Sequence, residues 1–321
     1  MKGINGHRKK ILEEAYISGL ESKNGLLCER MNLKKNTVSY ALEKLRKDGY
    51  FSKTKYDLNL DALKIGKFAW VFLSINWEGF EYEKFVKKLL DLTQVVSVAD
   101  VTGKNDIAVK VFGPSINNIS AFGLMMEKIF QGAITETVVF FANTEYKRHY
   151  LPIKKKPPYK LNKTDCAILY EKTTNPCISL SEIAEKYKFH RNTVSNRWNK
   201  LWKEGVIVKE IPDMTQKGYD EIKMGLKAFI LIKPVPGKEE KIIKSLMKNK
   251  EIQDIFTTLS NEIIIILRTE NSQTLANAHK MLAKEDGLIK KTNTSIFLTK
   301  RNKNSLSMGE IKGLIGKIPG L

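Results

Sequence analysis

Lys35-Asn36-Thr37-Val38-Ser39 and Arg191-Asn192-Thr193-Val194-Ser195 are one pentapeptide written twice, 156 residues apart, with only the leading basic residue changed. At the same offset Leu45 answers Leu201, Lys47 answers Lys203, Gly49 answers Gly205 and, far outside the pentapeptide, Asp106 answers Glu262. A register held over that distance predicts a duplicated unit rather than a chance match. In the first copy Val38, Leu42 and Leu45 fall at i, i+4 and i+7, so they share one helical face. Val194, Trp198 and Leu201 do the same in the second. The opposite faces carry Lys35, Asn36, Ser39 and Tyr40, and then Arg191, Asn192, Ser195, Asn196, Asn199 and Lys200. Short polar and basic side chains on an exposed helix can bond base edges and phosphates in a major groove. These ten residues are the candidate DNA contacts.

Working outward, each pentapeptide closes a helix-turn-helix. Residues 1–52 hold the first, with Ile11, Leu12 and Ala15 on one helix and Leu26, Leu27, Cys28 and Met31 on the next. Residues 164–210 hold the second, where Ser179 and Glu182 have capping-box spacing. Gly49 and Gly205 stop the third helices. Behind each lies a segment that alternates differently. In 66–145, Phe68 to Ile75 reads as a buried strand and Tyr82 to Leu90 as a helix. Val95 to Val101 and Ile107 to Phe112 read as two strands about a turn at Gly103. Ile116 to Phe130 reads as a helix through Ile119, Leu124, Met125 and Ile129, and Thr135 to Ala142 as a last strand. The order is β-α-β-β-α-β, which 225–299 repeats. The fold expected is α+β: two winged helix-turn-helix domains, each followed by a ferredoxin-like domain. A sheet with helices on one side leaves its other face bare, so the two are expected to pack on each other. Residues 53–65 and 211–224 read as wing and linker. Residues 146–163, with Pro152, Pro157, Pro158 and Lys154-Lys155-Lys156, read as an extended basic linker, and 300–321 as a basic tail with at most a short helix near Ile311 to Ile315.

Charge narrows the function. The chain has 321 residues and a formal net charge of +20, which predicts attraction to polyanions. Residues 66–145 carry 7 basic and 9 acidic side chains, so the first sheet domain is not expected to be a nucleic-acid surface. No apolar run is long enough to span a bilayer. The first residues hold no apolar stretch of signal-peptide type, so a cytoplasmic, nucleoid-associated protein is expected. Cys28, Cys166 and Cys177 have no paired spacing and suggest small buried hydrophobes, with no metal site. No catalytic constellation and no cofactor is expected: the four histidines, His7, His149, His190 and His279, have no acid or base partner close in sequence, and His279 reads as lying on an exposed helical face.

This plan resembles the Lrp/AsnC family of bacterial and archaeal transcription regulators. The residues that carry the resemblance are Asn192 to Arg197 through Leu201, Glu204-Gly205-Val206-Ile207, and Thr102-Gly103 with Asp106-Ile107. It covers both halves, about nine-tenths of the chain. The family opens its recognition helix with serine where Lys34 and His190 stand here, and Ala41 occupies the place of Arg197 in the first copy. Gly103 is answered by Leu259 in the second. The resemblance implies sequence-specific binding of double-stranded DNA by a pseudo-dimer with two unlike heads. It also implies self-association through the sheet domains and a small-molecule effector, such as an amino acid, near Thr102, Gly103 and Asp106. Two alternatives stand beside it. Sirohaem decarboxylases resemble the same plan and hold an acidic tetrapyrrole with basic and histidine side chains. A chromatin-like protein coating DNA without sequence preference would share the charge.

Overall fold

Apolar periodicity of 3.6 and 2 residues turns into helices and strands where the sequence places them. The order is α1 (Gly6–Ser18), α2 (Gly25–Met31), α3 (Lys35–Lys47), β1 (Phe51–Leu58), α4 (Leu60–Leu63), β2 (Lys67–Ile75), α5 (Tyr82–Asp91), β3 (Val95–Asp100), β4 (Ile107–Gly113), α6 (Ile116–Ile129), β5 (Ile134–Phe141), β6 (Thr144–Arg148) and β7 (Leu151–Pro152). There follow α7 (Lys163–Thr174), α8 (Leu180–Lys186), α9 (Arg191–Lys203), β8 (Ile207–Met214), α10 (Gln216–Glu221), β9 (Leu226–Pro234), α11 (Glu239–Met247), β10 (Ile252–Thr257), β11 (Ile263–Thr269), α12 (Ser272–Ala283), β12 (Ile289–Phe297) and β13 (Arg301–Asn302). The structure, a computed structural model, describes residues 4, 6–20, 25–63, 66–113, 115–153, 158–283, 287–298 and 301–302. Two winged helix-turn-helix domains are each followed by a ferredoxin-like domain, as the patterning requires. No described helix is long and apolar enough to cross a membrane.

The two wings pair with each other. β1 and β8 form an antiparallel two-stranded ribbon in which Lys55 faces Ile211. Those numbers differ by 156, the offset of the two pentapeptides. The flanking pairs, Thr54 with Pro212 and Tyr56 with Glu210, exchange with one another under that offset. A pseudo-two-fold axis therefore passes through the Lys55–Ile211 pair. The hydrogen bonds beyond the ribbon obey it too: Asn59 N–H donates to Val206 O at 2.8 Å and Thr215 N–H to Tyr50 O at 3.1 Å.

The ribbon also crosses the cores. Leu58, Leu60 and Leu63, from the first unit, lie buried among Ile168, Ile183, Val194 and Leu201 of the second helix-turn-helix. In return Met214 and Ile222 join Ile11, Leu12, Val38 and Leu45 of the first, together with Tyr150. Neither three-helix head closes its core from its own half.

The sheets pack face to face. One runs β13-β3-β4-β2-β5 and the other β12-β9-β11-β10-β6-β7. Alternation sends Ala69, Val71 and Leu73 toward helices α5 and α6, while Trp70 and Phe72 face the other sheet. There they meet Phe229, Leu231, Phe256, Ile264 and Ile266, with Phe72 and Phe229 rings 4.8 Å apart. The bare faces expected of each sheet thus cover each other inside one chain, so any association between chains would use other surfaces.

Several details differ from the sequence reading, among them Cys177, which is exposed rather than buried. The segment from Tyr146 is not a solvated linker at its start, because β6 pairs with β10 and β7 follows it. Lys147 and Arg148 are buried there because Lys147 Nζ donates to Asn249 O at 2.7 Å and Arg148 donates to Leu58 O and Glu145. Residues 211–224 are likewise the end of β8 and helix α10. On α6 the buried face is Ile119, Phe122, Gly123 and Met126, whereas Leu124 is 64% exposed and Ile129 44%. A stripe drawn through 122 and 126 satisfies the helical repeat as well, and packing on the sheet selects it. His279 is half-buried, with its ring 2.7 Å from Thr294 Oγ1. Lys154, Lys155, Lys156 and the tail beyond Asn302 lie outside the described residues.

Leu58 tests the crossing. Leu58→Ala should cost about 2–5 kcal/mol, as leucine truncations in cores do. Hydrogen exchange should then accelerate in α7–α9, more than a hundred residues away in sequence, and far less in α1–α3. Loss confined to the first head would contradict the crossed cores.

Candidate nucleic-acid interface

The recognition helices α3 and α9 present the predicted faces. Lys35, Asn36 and Ser39 are exposed, and Tyr40 is 63% exposed. On α9 Arg191, Asn192, Asn196, Asn199 and Lys200 are exposed and Ser195 is partly so. Inward, Val38 and Leu45 answer Val194 and Leu201, all fully buried. The ribbon's pseudo-two-fold relates the two faces.

The heads are held with unequal firmness. His190 does what a serine would do at the start of α9: its Nδ1 accepts from Asn192 N–H at 3.3 Å. Helices α7 and α8 each begin with a complete capping box, Asn162 with Asp165 and Ser179 with Glu182. Lys34, by contrast, gives α3 no side-chain cap. Such caps are worth roughly 0.5–2 kcal/mol each. Arg197 points inward: its Nε donates to Asp165 Oδ1 at 2.7 Å, its Nη2 bonds the other carboxylate oxygen and, at 2.9 Å, the Tyr159 hydroxyl. Asp165 has no exposed surface. The pair locks α9 onto α7. Ala41 stands in the corresponding place on α3, which rests on apolar packing. The Trp198 ring meets Tyr56 of the ribbon edge-on at 5.3 Å, tying the second head to the axis.

The turn at Gly103 lies against the second sheet. Thr102 N–H donates to Ile296 O at 2.9 Å and Thr102 Oγ1 accepts from Ile296 N–H at 3.1 Å. Gly103 has φ +111, and a Cβ there would lie 3.2 Å from Thr294 O. Its glycine is required by the approach of β12. Asp106 Oδ2 accepts from Ile75 N–H at 2.8 Å. Thr102 and Gly103 thus meet β12 of the other sheet, and Asp106 holds the end of β2 through Ile75 N–H and the Trp77 indole.

A cavity of about 210 Å³ lies where the ribbon meets the open end of the sandwich. Inner-face positions that are apolar at mid-sheet turn polar here: Lys110 beside Trp70, Lys227 before Phe229, Arg268 after Ile266, Asp254 before Phe256. A charge inside an otherwise apolar strand run is the sequence signal of such a position, and by pattern alone it is indistinguishable from ordinary alternation. The β6–β7 turn forms one wall. Arg148 pairs with Leu151 across a two-residue loop, and His149 (φ +44) and Tyr150 (φ +70) both take left-handed backbone. Positive φ at both central residues is the geometry of a type I′ turn, usually built from Asn and Gly. The turn is held by His149 N–H donating to Asp254 Oδ1 at 2.8 Å, Tyr150 N–H donating to Gln253 O at 2.8 Å, and His149 Nδ1 lying 2.9 Å from Gln253 Nε2. Burial, reinforced by Lys209, pushes the His149 ring well below the usual imidazole range, so it is neutral. Burial raises the Asp57 carboxyl despite Arg148 at 3.6 Å. Among the described residues no group of three His, Cys, Asp or Glu side chains could hold a metal ion.

Residues 161–208 match the family of winged helix-turn-helix DNA-binding domains. The HTH-type transcriptional regulator FL11 of Pyrococcus furiosus is 30% identical over 124 residues, 38% of this chain and 78% of that protein. The uncharacterised HTH-type transcriptional regulator PH0140 of Pyrococcus horikoshii is 31% identical over 142 residues, 43% of this chain and 86% of that protein. Over nearly the whole length the fold is similar to the crystal structure of the siroheme decarboxylase NirDL, with a TM-score of 0.61 and 11% identity, covering 97% of this chain and 99% of that one. At that identity the likeness is one of fold.

Arg197 and Arg191 separate scaffold from contact. Arg197→Ala strands a buried carboxylate and should destabilise the second head by about 3–5 kcal/mol. Arg191→Ala should leave thermal unfolding within about 0.5 kcal/mol of wild type. Equal losses would show that Arg191 also holds the fold.

Lys209 gives a pH test. Its ammonium is buried against the carbonyls of Tyr16, Ile17 and His149, and burial lowers its pKa from 10.5 to about 8. The unfavourable contribution is fully present below pH 8. Between 8 and 10.5 the unfolded chain keeps a proton the folded chain has shed, so stability rises with pH. In chemical unfolding, wild type should therefore gain on Lys209→Met by about 3 kcal/mol across that window. A flat or falling difference would contradict it.

Proposed function

We propose that this chain, which belongs to the Lrp/AsnC family of helix-turn-helix transcription regulators, reads double-stranded DNA with two unlike recognition helices fixed in one polypeptide. The observation that carries this is the ribbon. Its axis through Lys55 and Ile211 relates α3 to α9 as the two-fold of a dimer relates two identical helices. Each relative aligns over a stretch close to the length of one helix-turn-helix and sheet unit. The chain reads as two such units joined in tandem.

Dimeric helix-turn-helix proteins place their reading helices in successive major grooves, so half-sites lie about one helical turn, or a multiple of it, apart. Here the half-sites should differ. Arg191 suits guanine and Asn192, Asn196 and Asn199 suit adenine, while the first head offers Lys35, Asn36, Ser39 and Tyr40. The charge of +20 adds salt-sensitive affinity for phosphates, to which Lys154, Lys155 and Lys156 contribute. The protein works at the nucleoid, without cofactor or catalysis. An enzymatic reading would place a tetrapyrrole in the central cavity between the ribbon and the sandwich. A purified protein with the absorption bands of a bound tetrapyrrole would support it.

Selection of duplexes from a random library tests the proposal. Wild type should enrich one asymmetric site. Arg191→Ala and Lys35→Ala should each cost about 1–3 kcal/mol and relax opposite halves of it. Steeply salt-dependent binding with no enriched sequence would identify a DNA coat, and negligible binding would end the regulator reading.

A further inference from the structure

The central cavity belongs to neither DNA-reading face, and its walls are specific enough to name a ligand class. Seven lysine and arginine side chains line it against four carboxylates. The carboxylates are engaged: Asp213 with Lys55 at 2.9 Å, Glu145 with Arg148, Asp57 with Arg148 at 3.6 Å, and Asp254 with the His149 backbone. The lining is therefore cationic in sum. It is also flat and apolar in part. Trp70 carries Lys110 on one side, 5.8 Å from its ring, and Lys227 from the opposite sheet at 5.4 Å.

Three buried polar atoms on this lining make no hydrogen bond within the protein: Asp57 Oδ2, Gln253 Oε1 and Arg268 Nε. Gln253 and Arg268 are over nine-tenths buried, at 5% and 7% exposure. Arg268 is held in place, with its guanidinium 3.5 Å from the Tyr219 ring centroid and Nη1 donating to Met224 O at 3.1 Å. A buried polar atom left unpaired costs about 1–3 kcal/mol, so three around one cavity mark a place built for a partner. Arg268 Nε asks for an acceptor, whereas Gln253 Oε1 and Asp57 Oδ2 ask for donors.

The geometry points to a binding site for a small aromatic or heterocyclic acid that also carries an N–H or O–H donor, seated between the ribbon and the open end of the sandwich. Its acid group would face Arg268 and the lysines, its ring the aromatic walls, and its donor Gln253 or Asp57. Such a ligand would touch β1, both sheets and Tyr16 of the first head. The wing of one head and the core of the other meet at the same ribbon, so occupancy changes how the two heads are held and hence DNA affinity. This last step rests on the regulator reading, and the ligand site does not.

Anthranilate, a flat acid with an amino donor, and benzoate, the same acid without one, are the probes. Calorimetric titration of the full chain should show one saturable anthranilate site, about tenfold tighter than benzoate. Arg268→Met should weaken both acids at least tenfold, whereas Gln253→Leu should weaken anthranilate about tenfold, to the level of benzoate, and leave benzoate unchanged. If Arg268→Met does not fold, Gln253→Leu decides by itself. Saturating anthranilate should shift affinity for the selected duplex by roughly 5–150-fold, the ordinary range of coupling between sites. No saturable binding at millimolar probe, or binding indifferent to Gln253→Leu, overturns the site. Cavity binding with unchanged DNA affinity overturns the coupling. Cavity binding by a protein that binds no DNA overturns the regulator reading and leaves the site standing.

Discussion

The antiparallel pairing of β1 with β8 is the constraint on which the rest depends. Backbone hydrogen bonds of a ribbon fix register, and a slip of one residue would turn every side chain to the wrong side. Because Lys55 faces Ile211, the chain segments beyond each strand are delivered to the opposite head. Leu58 to Leu63 complete the second core, and Met214 to Ile222 the first. A short helical trio has too little apolar surface to close alone, and the exchange supplies the missing wall.

The sandwich follows the same logic one layer down. Two sheets with helices on their outer faces bury their inner faces on each other through Trp70, Phe72, Phe229 and Phe256. β6 leaves the first unit to pair with β10 of the second, and β13 returns to pair with β3. Where the ribbon crosses the end of the sandwich, the inner faces cannot close on each other, and the residues there become charged. The cavity is a consequence of the crossing rather than of either domain.

The likeness between the halves does not make them equivalent. α9 has the Arg197–Asp165 pair and a histidine cap, whereas α3 has Ala41 and no side-chain cap. The second head is preorganised and the first is held mainly by its neighbours, including Tyr150 from a strained two-residue turn.

Periodicity and the 156-residue register determined the order of the principal helices and strands, the fold class, the inward and outward faces of α3 and α9 and the pairing of bare sheet faces. Those properties are local or repeat at fixed spacing, so the chain spells them out. The partner of each wing, the burial of Lys147 and Arg148, the inward duty of Arg197 and the spending of Thr102 and Asp106 on sheet contacts were decided by tertiary structure. So was the choice of Phe122 and Met126 over Leu124 and Ile129. Each depends on groups far apart in sequence, such as Asp165 for Arg197 and Asn249 for Lys147, and a polar residue's role is set by the partner that reaches it. The cavity belongs to that second class: Lys110, Lys227 and Arg268 are single charges in apolar strands until the ribbon brings them to one place.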